Sequence, residues 1–164
     1  MQENTKKSVK ETDGKYLTFW TEEQLFGVSI VDVVQIIGIQ KIIPVPEFPS
    51  YVKGIINLRG SIIPVIDIRA RFFKPEKDYD ERTCIIITNI NNILTGVIVD
   101  SVNAVVDIPD DQIALPPNIS QNTSNNYLRG IAKQQESVIL LIEASRIISK
   151  DLLMDFANIE KLMI

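Results

Sequence analysis

The sequence contains no histidine. That absence excludes Ser-His and Cys-His nucleophile pairs and any zinc site built on imidazole. Chemistry carried by carboxylates or lysine is left open, but the balance moves from catalysis toward binding. Cysteine is nearly missing as well. Cys84 is the only one, so no intrachain disulfide can form, which fits a reducing cytoplasm. Positive charge is not in excess: 17 Lys and Arg stand against 21 Asp and Glu, for a net charge of -4. A chain without a basic face has little with which to displace counterions, so nucleic acid is not expected as a partner. No apolar run reaches the length of a membrane span and no apolar leader opens the chain, so neither direct membrane insertion nor secretion is expected. A glycine-rich phosphate loop ending in Lys-Ser or Lys-Thr is also missing.

What the chain does have is apolar material. Hydrophobic residues make up 45% of 164 residues, enough for one domain of ordinary size or two small halves. The densest stretch runs from 54 to 68, Gly-Ile-Ile-Asn-Leu-Arg-Gly-Ser-Ile-Ile-Pro-Val-Ile-Asp-Ile. Its two β-branched runs flank a polar break, which predicts two strands joined by a tight turn in which Gly60 takes positive φ. Arg59 stands out there. A permanent charge between apolar strands must reach solvent, meet a carboxylate, or bond to carbonyls.

Before that hairpin, residues 1–15 are polar and read as a disordered tail, with Lys6, Lys7 and Lys10 diluted by Glu3, Glu11 and Asp13. Strands are expected at 16–20, 25–30 and 35–39, with a helical turn over 31–34 between the last two. Pro44, Pro46 and Pro49 make 41–49 an extended arm, its Ile42, Ile43, Val45 and Phe48 turned inward. Ser50 is placed to cap a helical turn over 50–53, and Asp67 another over 69–73. The charged segment 74–82 is the expected boundary between two halves. Beyond it, strands are expected at 83–88, 93–99 and 100–106, a long polar loop at 109–126, and a last hairpin from 127–132 and 137–142. A helix follows at 143–148, and residues from 151 onward dock as a helix or fray. Asn118 in Asn-Ile-Ser fits a glycosylation acceptor but is set aside for want of any sign of secretion. About ten short strands with few helices predict an all-β architecture of small barrels.

In this order the residues resemble the CheW family, the coupling proteins of bacterial chemotaxis. The resemblance spans 16–148. It rests on Gly27, Ile30 and Val33, on Pro46, Pro49 and Gly54, and on Tyr127, Gly130 and Ile139-Leu140-Leu141-Ile142. Most of all it rests on Asn57-Leu58-Arg59-Gly60 with Pro64-Val65-Ile66-Asp67-Ile68-Arg69, and on Gly96-Val97-Ile98-Val99-Asp100-Ser101-Val102. It implies two small five-stranded SH3-like β-barrels packed together, the first over about 16–74 and the second over about 83–142, with interwoven boundaries allowed and a groove between them. The implied protein is a non-enzymatic, cytoplasmic adaptor that needs no cofactor or metal. One face would bind the regulatory domain of the histidine kinase CheA, and the groove would hold the helical cytoplasmic tip of a chemoreceptor, a methyl-accepting chemotaxis protein. Leu17, Ile30 and Val33 match positions that would meet the kinase. Gln35, Gly54, Arg59, Gly96, Val102 and Val105 match positions around the groove, and Ile36 joins Val102 and Val105 as its apolar centre. For each aliphatic residue, core packing is the competing role. The family usually has Glu where this chain has Gln35, so Arg59 loses the expected internal carboxylate.

Two other readings compete. A small β-barrel binding a nucleotide or nucleic acid predicts a basic, aromatic-lined face. A carboxylate enzyme would pair Asp67 with Asp100, although both sit where strand ends recruit Asp for caps and turns.

Overall fold

A computed structural model describes residues 14–115 and 127–161 of the chain. Most of the expected tail, most of the 109–126 loop and Asn118 lie outside the described residues.

Eleven strands are formed by the β-branched runs. They are β1 (Lys15–Thr21), β2 (Gln24–Ser29), β3 (Val33–Gly38), β4 (Val52–Leu58), β5 (Ser61–Asp67), β6 (Cys84–Ile90), β7 (Ile93–Val99), β8 (Ser101–Asp107), β9 (Ile113–Ala114), β10 (Leu128–Gln134) and β11 (Ser137–Ile142). Short helices α1 (Ile68–Arg71), α2 (Ala144–Ile147) and α3 (Lys150–Glu160) complete the fold, with 3-10 turns at Ile30–Asp32 and Asp110–Gln112. Lys15, placed in the tail by its polarity, already pairs with Asp107 in the ladder and forms an ion pair with it at 2.8 Å. Asp67 caps α1 as expected, its Oδ1 accepting from the Arg69 amide at 2.8 Å. Residues 50–53 form no helix, because β4 already begins at Val52. Residues 110–114 of the expected loop carry a 3-10 turn and β9.

The strands make two sheets, ordered β8-β1-β2-β11-β10-β9 and β3-β6-β7-β5-β4. Both are mixed: β2 runs parallel to β11, and β5 to β7. The all-β class holds, but five-stranded closed barrels do not. Among the described residues neither sheet joins its outer strands by a ladder. The five-stranded sheet only curls, its ends brought together by the bridge of Ile43 to Ile55 and a 3.4 Å bond from Gln40 Nε2 to the Asn57 carbonyl. The proline-bearing arm supplies that join, which leaves Ile43 47% exposed although Ile42 is packed inside.

The two sheets interleave along the chain. Segment 74–82 links β5 and α1 to β6 within one sheet, and the chain changes sheet at Ile30–Asp32 and at Asp100. Hydrophobic patterning does not reveal partners this far apart in sequence. Each sheet thus draws strands from both the 16–74 and the 83–142 segments.

One core lies between the sheets. Leu17, Phe19, Phe26 and Val28 from one meet Ile66, Ile86, Val97 and Val99 from the other. Smaller clusters fill the inside of each sheet, around Tyr16, Ile139 and Leu141 in one and Ile56, Val65, Ile85 and Ile87 in the other. This explains why 84–88 is almost uniformly apolar: successive side chains of β6 enter different clusters, so both faces are buried. The final amphipathic segment docks. Ser149 caps α3, which buries Leu152, Leu153 and Phe156 in the shared core, and Glu160 accepts from the Leu94 amide at 2.8 Å.

Candidate functional site

Two outer strands, β3 and β8, carry half of the predicted site residues and share a construction. In β3, Val33 pairs with Thr88 and Gln35 with Ile87, so Val34 is an extra, bulged residue. Ile36 pairs with Ile86, a residue of the shared core. Paired residues point to the same face of a sheet. The bulge thus sets Val33 and Ile36, three apart, on the face between the sheets. In β8, Val102 pairs with Phe19 and Ala104 with Thr18, leaving Asn103 as the extra residue, and Val105 pairs with Leu17. Phe19 and Leu17 belong to the shared core, so Val102 and Val105 also lie on the face between the sheets. On each strand the first residue packs into the core and the second remains open, Ile36 at 42% and Val105 at 53% exposure. Regular alternation would have separated each pair onto opposite faces. The bulges also blunt two outer strands that would otherwise template pairing with another chain.

The other predicted residues fall into different places. Arg59 and Gly60 form the two-residue loop of the β4–β5 hairpin, closed by the pairing of Leu58 with Ser61. Both take positive φ, 55° and 91°, as a type I′ turn requires. Asn57 Oδ1 accepts from the Gly60 amide at 2.8 Å. Of the three fates open to the Arg59 charge, solvent is the one realised. It is exposed, and among the described residues it has no hydrogen bond or ion pair. Gln35 does not engage it. Gln35 pairs with Ile87 and so points toward the inside of the five-stranded sheet, half-buried. Gly54 and Gly96 are buried backbone positions. A Cβ on Gly54 would run into the Ile43 carbonyl, and one on Gly96 would come within 2.6 Å of Val65 Cγ1. Leu17 is only 2% exposed and lies in the core; Ile30 and Val33 are half-buried at its edge. Next to them, Val31 and Val34 are well exposed.

The two carboxylates of the enzyme reading are both engaged in holding elements together. Arg69 grips Asp100 with two parallel bonds, Nε to Oδ1 at 2.9 Å and Nη2 to Oδ2 at 2.8 Å, and Oδ2 also accepts from the Glu22 amide at 2.8 Å. Burial pushes the Asp100 carboxyl up, but the Arg69 and Glu22 bonds outweigh it and hold the group below the ordinary carboxylate range. The pair ties α1 to the point where the chain changes sheet. Asp67 Oδ2 accepts from the Tyr79 hydroxyl at 2.8 Å, and burial together with that carboxylate drives the Tyr79 pKa strongly upward. Sequence reasoning did not find the Arg69–Asp100 pair, because its members are 31 residues apart and each looks like an ordinary cap or turn residue.

These features define an all-β interaction module, with two bulged outer strands presenting aliphatic side chains beside a shared core. A family model described as CheW-like domain matches residues 15–152, and the chain belongs to that family. Among its relatives, Chemotaxis protein CheW of Klebsiella aerogenes is 30% identical over 152 residues, 92% of each chain. Chemotaxis protein CheW of Bacillus subtilis is 32% identical over 141 residues, 86% of this chain and 90% of the relative. The solved structure of the scaffolding protein TtCheW from Thermoanaerobacter tengcongensis superposes with a TM-score of 0.72 at 36% identity, covering 79% of this chain and 88% of the other. The reading as a nucleotide- or nucleic-acid-binding barrel finds no support in these relatives.

Proposed function

We propose that this chain is a chemotaxis coupling scaffold that joins a chemoreceptor tip to the CheA kinase without catalysis of its own. The observation that carries the reading, beyond family membership, is the exposed aliphatic pair Ile36 and Val105 on bulged strands at the margin of a common core. A helical receptor tip buries apolar residues in such a groove, with desolvation concentrated at its centre. The groove contacts are Ile36, Val102, Val105 and, from the hairpin tip, Arg59, whose guanidinium has no partner among the described residues and suits an acidic one; Gln35, on the opposite face of β3, supports Ile36 from behind. Gly54 and Gly96 serve the groove only through backbone geometry. The kinase regulatory domain meets the start of β3 and the turn before it, where exposed Val31 and Val34 supply apolar area beside half-buried Ile30 and Val33, with Leu17 packed beneath as support. Two adjoining surfaces on one body hold kinase and receptor at high local concentration. Such a scaffold works in the cytoplasm. Among the described residues no helix is long and apolar enough to cross a membrane.

Titration of the protein with the CheA regulatory domain and, separately, with a receptor signalling fragment tests this. Absence of binding to either one overturns it. In the same assay, Arg59→Ala is expected to weaken the receptor fragment by about tenfold, or ~1.4 kcal/mol, and to leave the kinase domain unaffected. Because Arg59 is exposed and has no partner among the described residues, the melting temperature should not move.

A further inference from the structure

Strand β8 holds one residue more than the stretch of β1 it pairs with, and one side chain accounts for where the surplus goes. Thr18 is completely buried in the middle of β1. Its hydroxyl donates to the Ala104 carbonyl at 2.9 Å and accepts from the Ala104 amide at 3.1 Å and from Asn103 Nδ2 at 2.9 Å. A hydroxyl has one proton and two lone pairs, and all three are used on the bulge. The register has a competitor. If Asn103 itself lay opposite Thr18, Ala104 would oppose Leu17 and Val105 would oppose Tyr16. Val105 would then turn to the far face, where Val106 now packs beside Tyr16, and an alanine would stand at the groove. A one-residue slip exchanges the faces of a strand. Neither register is selected by hydrophobicity alone, since Ala104, Val105 and Val106 are all apolar.

We propose that Thr18 and Asn103 are positioning residues for the receptor-facing groove: their hydrogen bonds fix the β8 bulge and so select the register that presents Val105 beside Val102. This rests on the reading of β8 as a groove strand, and it deepens that reading by naming residues outside the contact surface on which it depends. A threonine buried between Leu17 and Phe19 acquires a role that core packing does not supply.

The test is a binding cycle in the full chain. Thr18→Val removes the hydroxyl while keeping a branched side chain. It should weaken the receptor fragment by about tenfold and change the kinase-domain affinity by no more than about twofold. The Ala104 amide should exchange with solvent faster, having lost its acceptor. Thr18→Ser should bind as the parent does. Asn103→Ala, at an exposed position, is the milder variant and should act in the same direction by about threefold. Deleting Asn103 restores regular pairing with Val105 still opposite Leu17, so this variant should bind receptor, and adding Thr18→Val to it should change nothing further. The proposal is overturned if Thr18→Val binds receptor like the parent, if receptor and kinase affinities fall together, or if Thr18→Val is equally harmful in the deletion background. If the parent chain itself fails to bind the receptor fragment, the coupling-scaffold reading falls, and the proposal with it.

Discussion

Gly54 and Arg59 lie on one strand-and-turn unit and tolerate change very differently. Arg59 is exposed and has no partner among the described residues, and its truncation should register in binding and nowhere else. Gly54 combines a φ of 144° with a backbone neighbour, the Ile43 carbonyl, where a Cβ would stand. Gly54→Ala is therefore expected to cost about 2–3 kcal/mol in urea denaturation, from strain and displacement of the arm that joins the ends of the five-stranded sheet. An unchanged midpoint would show that the arm moves aside freely. Much at this scale could be read from sequence. Gly60 beside Arg59 announced the turn, and Asp67 before Ile68 announced a cap, because both depend on neighbours within a few residues. The fate of the Arg59 charge could not be read, since it turned on whether any distant carboxylate came near. The burial of Leu17 agrees with the core-packing role that any aliphatic residue offers, whereas its contact role could not be read, because a leucine on an aromatic-rich strand serves core and surface alike.

Among the elements, α1 and the junction of β7 with β8 form a single fixture through Arg69 and Asp100. Asp100→Asn should lower stability by about 2 kcal/mol near neutral pH, because a charge-assisted pair of bonds loses its charge and one acceptor. The pH dependence follows from the depressed carboxyl of Asp100. A carboxyl whose folded pKa lies below its unfolded one contributes in full above the unfolded value and loses that contribution as pH falls through the folded one. The stability difference between parent and Asp100→Asn should therefore be flat through neutrality and shrink only on acidification below the ordinary carboxylate range. A difference that disappeared between pH 6 and 8 would mean that some other group governs it. Strand existence was legible here from β-branched runs, and the docking of α3 from its apolar spacing. The bulges at Val34 and Asn103 were not, because an extra residue declares itself only against the partner strand.

At the scale of the molecule, sheet membership alternates along the chain: β1 and β2 in one, β3 through β7 in the other, β8 through β11 back in the first. Both sheets contribute to the same core, and α3 closes it. Neither sheet can be removed without exposing the buried face of the other. Calorimetry should give one unfolding transition with equal calorimetric and van't Hoff enthalpies; two resolved transitions would show independent units. This arrangement was the least legible feature of all, since the charged 74–82 segment resembles a boundary and yet links two strands of one sheet.

The interleaving also sets a timetable for the nascent chain. Thr18 and its partner Ala104 are separated by 86 residues, which at roughly 5–20 residues per second of synthesis is a delay of roughly 4–17 s. The strands of the five-stranded sheet are contiguous in sequence and emerge during that interval. The β1–β2 hairpin, marginal by itself, meanwhile waits on the ribosome with both its edges unpaired, open to the wrong neighbour until β8 and β11 arrive. A fold assembled in this order exposes its most vulnerable surface when its first strands have been made, not its last.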